Sequence, residues 1–120
     1  MEDTDGLHES PVAGVEERDG AFVVHLTGEL DLYNAHVVRE ELVSAAQRNP
    51  ERLIVELSGV SFIDSTGLGV LIEARTLLPN RRAFLLAGPG LETRRALEIS
   101  GLARHFGVHE SLDAALSASV

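Results

Sequence analysis

The sequence predicts an α/β fold: a single domain with one mixed, mostly parallel sheet of about five strands and about four helices. Short apolar, β-branched runs alternate along the chain with segments of helical periodicity, and Pro, Gly or Asn residues separate them. The length of 120 residues and the hydrophobic content of 44% suit a single core, so we expect one domain over residues 11–120. Residues 1–10 are acidic and lack basic side chains, which predicts a flexible acidic N-terminal tail.

An antiparallel hairpin opens the predicted fold. Its strands are expected at residues 12–18 and 21–27, joined by an Asp-Gly dipeptide whose two positions tolerate the positive φ of a tight turn. A helix follows from Asn34, a potential N-cap, to about residue 48. Its apolar residues near helical spacing are Val37, Val38, Leu42, Ala45 and Ala46. The run RLIVEL at 52–57 is apolar and β-branched like a buried parallel strand, which implies a right-handed crossover.

The second half of the chain repeats this alternation. We predict a helix from Thr66 that ends before a Pro-Asn dipeptide, then a short apolar strand at 83–88. The apolar face of this helix is expected to contain Leu68, Leu71, Ile72 and Leu78. A helix at 91–100 should end at a glycine in the usual C′ position. A last strand is expected at about 105–108, and Ser111 can cap a final helix.

Composition excludes several classes of function. The chain has no cysteine, which removes disulfides, thiolate nucleophiles and thiolate metal sites. All ten basic residues are arginine, so there is no lysine for a phosphate-binding P-loop or a Schiff base. A net charge of −9 disfavours binding to nucleic acid or to anionic lipid. Because no apolar run approaches the roughly 20 residues of a membrane span and the N-terminus is acidic, we expect a cytoplasmic protein without membrane contact.

Two polar segments follow the predicted second and third strands, in the region where sites gather in parallel sheets. They are GELD at 28–31 and FIDSTGLG at 62–69. Because a crossover joins these strands and makes them parallel, we expect Asp31 and Ser65 to lie at the same pole of the sheet. The apolar residues expected to anchor the second segment to the core are Val60, Phe62 and Ile63. The polar triplet expected to face outward is Asp64, Ser65 and Thr66.

Ser65 stands at a predicted helix N-terminus, where unpaired N–H groups and the helix dipole favour negative charge by about 0.3–1 kcal/mol. A phosphoryl group would be well placed there. Gly67 and Gly69 each cost up to about 1 kcal/mol relative to alanine, which indicates close backbone approach or unusual dihedral angles. A simpler interpretation competes, in which Asp64 or a hydroxyl caps the helix and the glycines admit a tight turn. Local physics leaves both interpretations open.

Three longer segments carry a resemblance to a known family. They are LTGELDLYNA at 26–35, FIDSTGLGVL at 62–71 and RALEISGLARHFGVHESLDAAL at 95–116. In their order and spacing they resemble the STAS domain, and within it the bacterial anti-sigma factor antagonists. From first to last they span residues 26–116, most of the chain after the acidic tail, and DSTGLG is the family's most specific motif.

The resemblance implies a partner-switching cycle. An unmodified antagonist binds an anti-sigma factor that is also a serine kinase, which releases a sigma factor for transcription, and phosphorylation ends this binding. A separate serine phosphatase restores the unmodified state, the ATP belongs to the kinase, and no cofactor of the chain's own is implied. Ser65 matches the phosphorylated serine, with Thr66 as the alternative acceptor. The residues expected to contact the partner are Asp31, Leu32, Tyr33, Asp64, Ser65, Thr66, the Gly67 backbone and an exposed Leu68.

Enzymatic and metal-binding interpretations have weaker support. A serine hydrolase built on Ser65 would lack the G-x-S-x-G signature because Ile63 stands where the first glycine belongs. A phospho-receiver would need a lysine that the chain does not have, so we predict that the protein is not an enzyme. His105 and His109 fall near a predicted strand, which splays them and disfavours a metal site. His25 alternates with apolar strand residues and is expected to be structural.

The strongest rival is a STAS scaffold that makes constitutive protein contacts or senses a small molecule without a phosphorylation cycle. Arg94, Arg95 and Arg104 would then mark an anion-binding or partner-binding surface, although arginines on an exposed helix face are usually just solvated. A phosphate on Ser65 in protein taken from its host would favour the cycle over the scaffold.

Overall fold

A computed structural model describes residues 10–120, and across them the chain forms one five-stranded sheet and four α-helices. The strands are β1 (Val12–Arg18), β2 (Ala21–Leu30), β3 (Arg52–Ile63), β4 (Phe84–Ala87) and β5 (Gly107–His109). The helices are α1 (Ala35–Ala46), α2 (Ser65–Arg75), α3 (Leu91–Ile99) and α4 (Leu112–Ser117). The strands lie in the order β1-β2-β3-β4-β5, with β1 antiparallel to β2 and the other neighbours parallel. The predicted mixed, mostly parallel α/β fold is confirmed.

Turn-forming and helix-capping residues set the boundaries of several elements. Asp19 and Gly20 turn the β1–β2 hairpin with φ of 53° and 83°, the left-handed region that an Asp-Gly pair tolerates. Gly101 follows α3 with φ of 81°, as its predicted C′ position requires. The Ser111 hydroxyl accepts a hydrogen bond from the Ala114 N–H at 3.1 Å and so caps α4 as predicted.

Two apolar clusters hold the helices on the sheet. The larger cluster lies between one face of the sheet and α1, α2 and α3, and the smaller one lies under α4 on the other face. In α1, Val38, Leu42 and Ala45 are buried as their spacing predicted, whereas Val37 is only half-buried. Burial of a large apolar side chain contributes about 1.5–3 kcal/mol, so these clusters fix the positions of all four helices.

β2 and β3 are longer than predicted. β2 continues to Leu30 and β3 to Ile63, so most of GELD and the start of FIDSTGLG belong to strands rather than to loops. Glycine and serine residues gave these segments the composition of a loop, but two register shifts keep the strands paired through them. β4 ends at Ala87, opposite Glu56 of β3. β2 and β3 therefore project beyond the rest of the sheet as a two-stranded extension.

The last strand also differs from its prediction, because it occupies residues 107–109 rather than 105–108. A short 3₁₀ turn at Leu102–Arg104 precedes it. Phe106 then inserts into the core, and its ring centroid lies 5.7 Å from that of Phe84. An aromatic anchor thus takes the place of the start of the predicted strand.

His25 links three strands on the sheet face opposite α1, α2 and α3. Its Nε2 lies 2.7 Å from Glu16 Oε2 in β1, and its Nδ1 lies 3.3 Å from Glu56 Oε1 in β3. These contacts agree with the structural role predicted for this histidine. His105 and His109 were considered as metal ligands in the sequence. Among residues 10–120, no group of three or more His, Asp or Glu side chains is placed to hold a metal ion.

The paired part of the sheet begins near the predicted domain boundary. Pro11 is buried, and its carbonyl accepts a hydrogen bond from the Thr27 N–H at 2.8 Å. The acidic tail predicted at 1–10 lies, apart from Ser10, outside the described residues and stays a prediction. Within the part of the chain that the structure describes, no helix is both long and apolar enough to cross a membrane.

An ion pair joins α1 to α2 on the outer surface of the helical layer. Arg39 Nε donates to Glu73 Oε2 at 2.9 Å, and Arg39 Nη2 lies 2.7 Å from the same oxygen. This hydrogen bond is the main cause that holds the pKa of Glu73 below its ordinary value of 4.5, and it also raises the pKa of Arg39.

We expect the Arg39–Glu73 pair to stabilise the fold at neutral pH and to lose this effect in acid. Because the pKa of Glu73 is lower in the folded than in the unfolded state, its contribution is fully present above about pH 4.5 and disappears as the pH falls through the folded value. In urea unfolding, Arg39→Gln should be less stable than wild type at neutral pH, with a gap that narrows by about pH 3. Arg95→Gln is the control, since its contact with Glu92 is 3.9 Å long. An equal Arg39→Gln gap at both pH values would contradict the expectation.

Candidate functional site

The two predicted site segments meet at the end of the two-stranded extension. Leu30 at the end of β2 pairs with Ile63 at the end of β3, and the Asp64 N–H donates to the Leu30 carbonyl at 3.0 Å. The segments that follow these strands therefore start side by side. Asp31 and Ser65 lie at the same end of the sheet, as predicted. We name this end, beyond Leu30 and Ile63, the Ser65 pole.

A compact turn between β2 and α1 presents two apolar side chains at this pole. Asn34 Oδ1 accepts from the Asp31 N–H at 2.9 Å, and Asp31 Oδ1 accepts from the N–H groups of Tyr33 and Asn34 at 3.0 and 3.3 Å. Asn34 Nδ2 also donates to the Glu29 carbonyl at 2.7 Å. This network holds Leu32 and Tyr33 outward, with 69% and 85% of their surfaces exposed. An apolar pair so exposed is available for a protein contact.

Asn34 has a different role from the one predicted. It occupies the N-cap position of α1, but its side chain makes no capping hydrogen bond and turns back to Asp31 and Glu29 instead. Sequence reasoning missed Asn34 as a residue that positions the site. The available signal was the spacing of Asp31 and Asn34, because Asp and Asn side chains readily bond backbone groups two or three residues away.

Ser65 is the first residue of α2, and its side chain is exposed. Asp64 is the N-cap: its Oδ1 accepts from the Gly67 N–H at 3.0 Å, as the simpler capping interpretation proposed. Thr66 is half-buried and is therefore less accessible than Ser65. The described structure thus leaves the Ser65 side chain outside the cap and open to a second protein.

Two residues of the predicted contact surface belong instead to the inner side of α2. Leu68 is only 9% exposed, so the expectation of an exposed Leu68 is wrong, and Gly67 is buried as well. A Cβ atom on Gly67 would lie 2.8 Å from Ile63 Cγ1 and 3.2 Å from the Leu30 carbonyl oxygen. The close approach predicted from this glycine is therefore an internal contact between α2 and the two strand ends.

Two further apolar residues were predicted to be buried and are exposed instead. Phe62 was expected to anchor the site segment, but 49% of its surface is exposed because the pleat of β3 points it away from Ile63 and the main core. Ile72 was expected on the buried face of α2 and is 43% exposed. The inner face of α2 consists of Gly67, Leu68, Val70, Leu71 and Ala74.

The charges around Ser65 are mainly acidic. Asp64 directly precedes Ser65 in the chain, and Asp31 directly follows Leu30, whose carbonyl accepts from the Asp64 N–H. The three arginines of the rival interpretation lie outside the two segments that meet at the Ser65 pole. Arg94 and Arg95 lie in α3, whereas Arg104 lies in the 3₁₀ turn beyond the far end of that helix. The Ser65 pole therefore combines exposed apolar side chains with negative charge.

The family model described as STAS domain matches residues 13–115, and the chain belongs to the STAS domain family. Among its relatives is the anti-sigma-F factor antagonist RsfB of Mycobacterium tuberculosis, 30% identical over 103 residues, with 86% of this chain and 84% of the relative covered. The anti-sigma-B factor antagonist of Bacillus subtilis is 41% identical over 89 residues, covering 73% of this chain and 81% of the relative. The resemblance inferred from the sequence motifs is confirmed.

Solved structures agree with these sequence comparisons. The crystal structure of an anti-sigma factor antagonist from Mycobacterium paratuberculosis superposes with a TM-score of 0.81 at 32% identity. The alignment covers 86% of this chain and 88% of that one. Both the fold and the sequence of this chain are thus similar to those of proteins named as anti-sigma factor antagonists.

We expect Gly67→Ala to destabilise the protein. The added methyl group would overlap Ile63 and crowd the backbone of Leu30, and overpacking of this kind costs about 1–3 kcal/mol. Urea unfolding of the purified variant measures the loss. Gly14→Ala is the matched control, because a Cβ atom there meets nothing within 4 Å. A Gly67→Ala variant as stable as wild type would show that the contact of α2 with the strand ends is not tight.

Proposed function

We propose that this chain is an anti-sigma factor antagonist whose activity is switched by phosphorylation of Ser65. In its unmodified form it binds an anti-sigma factor that is also a serine kinase, and this binding releases a sigma factor. The observation that carries the proposal is the exposed Ser65 at the start of α2, beside the Asp31–Asn34 turn, in a chain whose relatives are named anti-sigma factor antagonists.

The exposure of the two hydroxyl groups supports Ser65 rather than Thr66 as the acceptor. A kinase must bring the terminal phosphate of ATP into contact with the attacking oxygen, and the Ser65 side chain is open to such an approach. Thr66 is half-buried and is therefore less open to a kinase than Ser65. In addition, negative charge in the first turn of a helix is favoured by about 0.3–1 kcal/mol. The folded domain can therefore carry a phosphate on Ser65 without unfolding.

The same phosphate would oppose partner binding. It adds roughly 1.5 to 2 negative charges at neutral pH and requires hydration or hydrogen-bond donors. Asp31 and Asp64 already carry negative charge at the Ser65 pole, so a phosphate there would crowd like charges together. Leu32 and Tyr33 next to them favour a contact that excludes water, and burying a phosphate in such a contact is costly.

The remaining components of the cycle belong to the partners. The proposed kinase supplies ATP, and a separate serine phosphatase removes the phosphate, so the chain itself needs neither a cofactor nor enzyme activity. We place the cycle in the cytoplasm, where sigma factors and their regulators meet RNA polymerase. The proposal does not require the chain to contact nucleic acid, which agrees with its charge of −9.

The proposal predicts that Ser65 is the phosphorylated residue. Intact-mass and peptide mass spectrometry, after incubation with ATP and each candidate kinase of the source organism, should find one phosphate on the peptide that contains Ser65. Ser65→Ala should abolish it, whereas Thr66→Val should keep it. Repeated absence of phosphate with every such kinase would favour the constitutive scaffold instead.

Two Ser65 variants should differ in their affinity for the same kinase. Ser65→Ala keeps a small neutral side chain and should bind about as well as unmodified wild type. Ser65→Asp adds one negative charge and should weaken binding by about tenfold or more, while both variants keep wild-type stability. Equal affinity of the two variants would contradict the electrostatic account of the switch.

We also expect Tyr33→Ala to weaken partner binding without lowering stability. Tyrosine is a frequent anchor of protein interfaces, and loss of such a residue typically costs about 2 kcal/mol or more of binding free energy. Calorimetric titration of the kinase with the variant measures this loss. Ile99→Ala is the control, because Ile99 is 81% exposed and ends α3, a helix that does not belong to the two segments of the Ser65 pole. If both variants bind like wild type, the Asp31–Asn34 turn is not part of the contact.

A further inference from the structure

Gly69 has no evident role inside the fold. It lies within α2 and is exposed, and a Cβ atom built on it meets nothing within 4 Å. Its φ is not in the positive range, so its backbone does not need glycine either. Glycine weakens a helix relative to alanine, and here no internal contact offsets that effect. Gly67, two residues earlier, differs because its missing side chain makes room for Ile63 and Leu30.

The position of Gly69 connects it with the acceptor. Four residues complete little more than one helical turn, so Gly69 lies on the same side of α2 as Ser65, about 6 Å further along the axis. Ile72 continues this line about 10 Å from Ser65, and 43% of its surface is exposed. We name Ser65, Gly69 and Ile72 the outer strip of α2. It consists of an acceptor hydroxyl, a bare stretch of helix backbone and an exposed apolar side chain.

The interface with a kinase that phosphorylates Ser65 is expected to extend over this strip. A stable interface buries about 800 Å² on each partner, which corresponds to a disc with a radius of roughly 16 Å. Because the kinase active site has to reach Ser65, such a disc extends past Gly69 and Ile72 unless the acceptor lies at its extreme edge. The absent side chain of Gly69 would allow a neighbouring chain to approach the helix backbone within van der Waals contact.

We infer that Gly69 serves recognition rather than folding: a backbone segment of the ATP-binding anti-sigma factor kinase crosses α2 at Gly69, and an apolar pocket of the kinase receives Ile72. This inference rests on the proposed function. Gly69 is then a specificity-determining residue, because any side chain there holds the kinase away from the Ser65 hydroxyl. The stability of α2 and the affinity for the kinase impose opposite demands on this position.

Gly69→Ala tests the inference because stability and binding should change in opposite directions. The melting temperature should rise by about 2–5 °C, since alanine is the better helix former and its methyl group meets no neighbour. The dissociation constant for the ADP-loaded kinase should rise by about tenfold, because the added methyl group would overlap the packed backbone of the kinase. Phosphorylation of Ser65 at limiting kinase should slow by a similar factor. The larger Gly69→Gln should bind still more weakly.

Ile72→Ala provides an independent arm, with Ile99→Ala as its matched control. Both isoleucines are exposed helical residues, but Ile99 lies in α3 and outside the outer strip. Ile72→Ala should weaken kinase binding at least fivefold, and Ile99→Ala should leave it within twofold of wild type. Equal effects of the two variants would overturn the pocket assigned to Ile72.

The possible failures can be told apart. If wild type binds its kinase and Gly69→Gln binds equally well, the close approach at Gly69 is wrong while the proposed function stands. If Gly69→Ala is less stable than wild type, the glycine serves the fold and the inference is also overturned. If unmodified wild type binds none of the anti-sigma factor kinases of its organism, the proposed function fails, and the assignment of the outer strip fails with it.

Discussion

The pairing of β2 with β3 along their full length is the constraint on which the site depends. It brings Leu30 beside Ile63, where the Asp64 N–H bonds to the Leu30 carbonyl and starts α2 at a fixed point. Gly67 then packs against both strand ends, which sets how closely the helix approaches the sheet. The Asp31–Asn34 turn grows from the same strand end. Every residue of the Ser65 pole is thus positioned by one pair of parallel strands.

The DSTGLG motif divides its residues between two functions. Asp64, Gly67 and Leu68 are used internally, as helix cap, close contact and core residue. Ser65 and Gly69 alternate with them and face outward, because a helix turns by about 100° per residue. The outward residues can change their chemistry or meet a partner without disturbing the core. A compact motif can therefore combine a rigid base with a surface that is free for regulation.

This division explains how the proposed cycle could act on binding alone. A phosphate on Ser65 would stand at a helix N-terminus, where the fold favours negative charge. It would also lie among acidic side chains and exposed apolar residues, where the added charge opposes binding of a partner. The Arg39–Glu73 pair joins α1 to α2 about two helical turns beyond Ser65, and the modification leaves both of its side chains chemically unchanged. Under the proposal, the domain remains folded in both states and only its affinity for the kinase changes.

Local chemistry was sufficient to predict the α/β class, the Asp19-Gly20 turn and the cap at Ser111, since each depends on dihedral preferences or on bonds within a few residues. The family followed from the motifs and their spacing. The lengths of β2 and β3 could not be predicted, because pairing across register shifts overrides the loop-like composition of their glycine and serine residues.

Tertiary packing alone decided which side chains at the site are buried and which are exposed. Leu68 and Ile72 are both apolar residues of one short helix, and the direction from which the sheet meets α2 buries the first and exposes the second. Packing likewise distinguishes Gly67 from Gly69. Both are glycines of the same helix, but a Cβ atom on Gly67 would meet Ile63 and Leu30, whereas one on Gly69 would meet nothing within 4 Å.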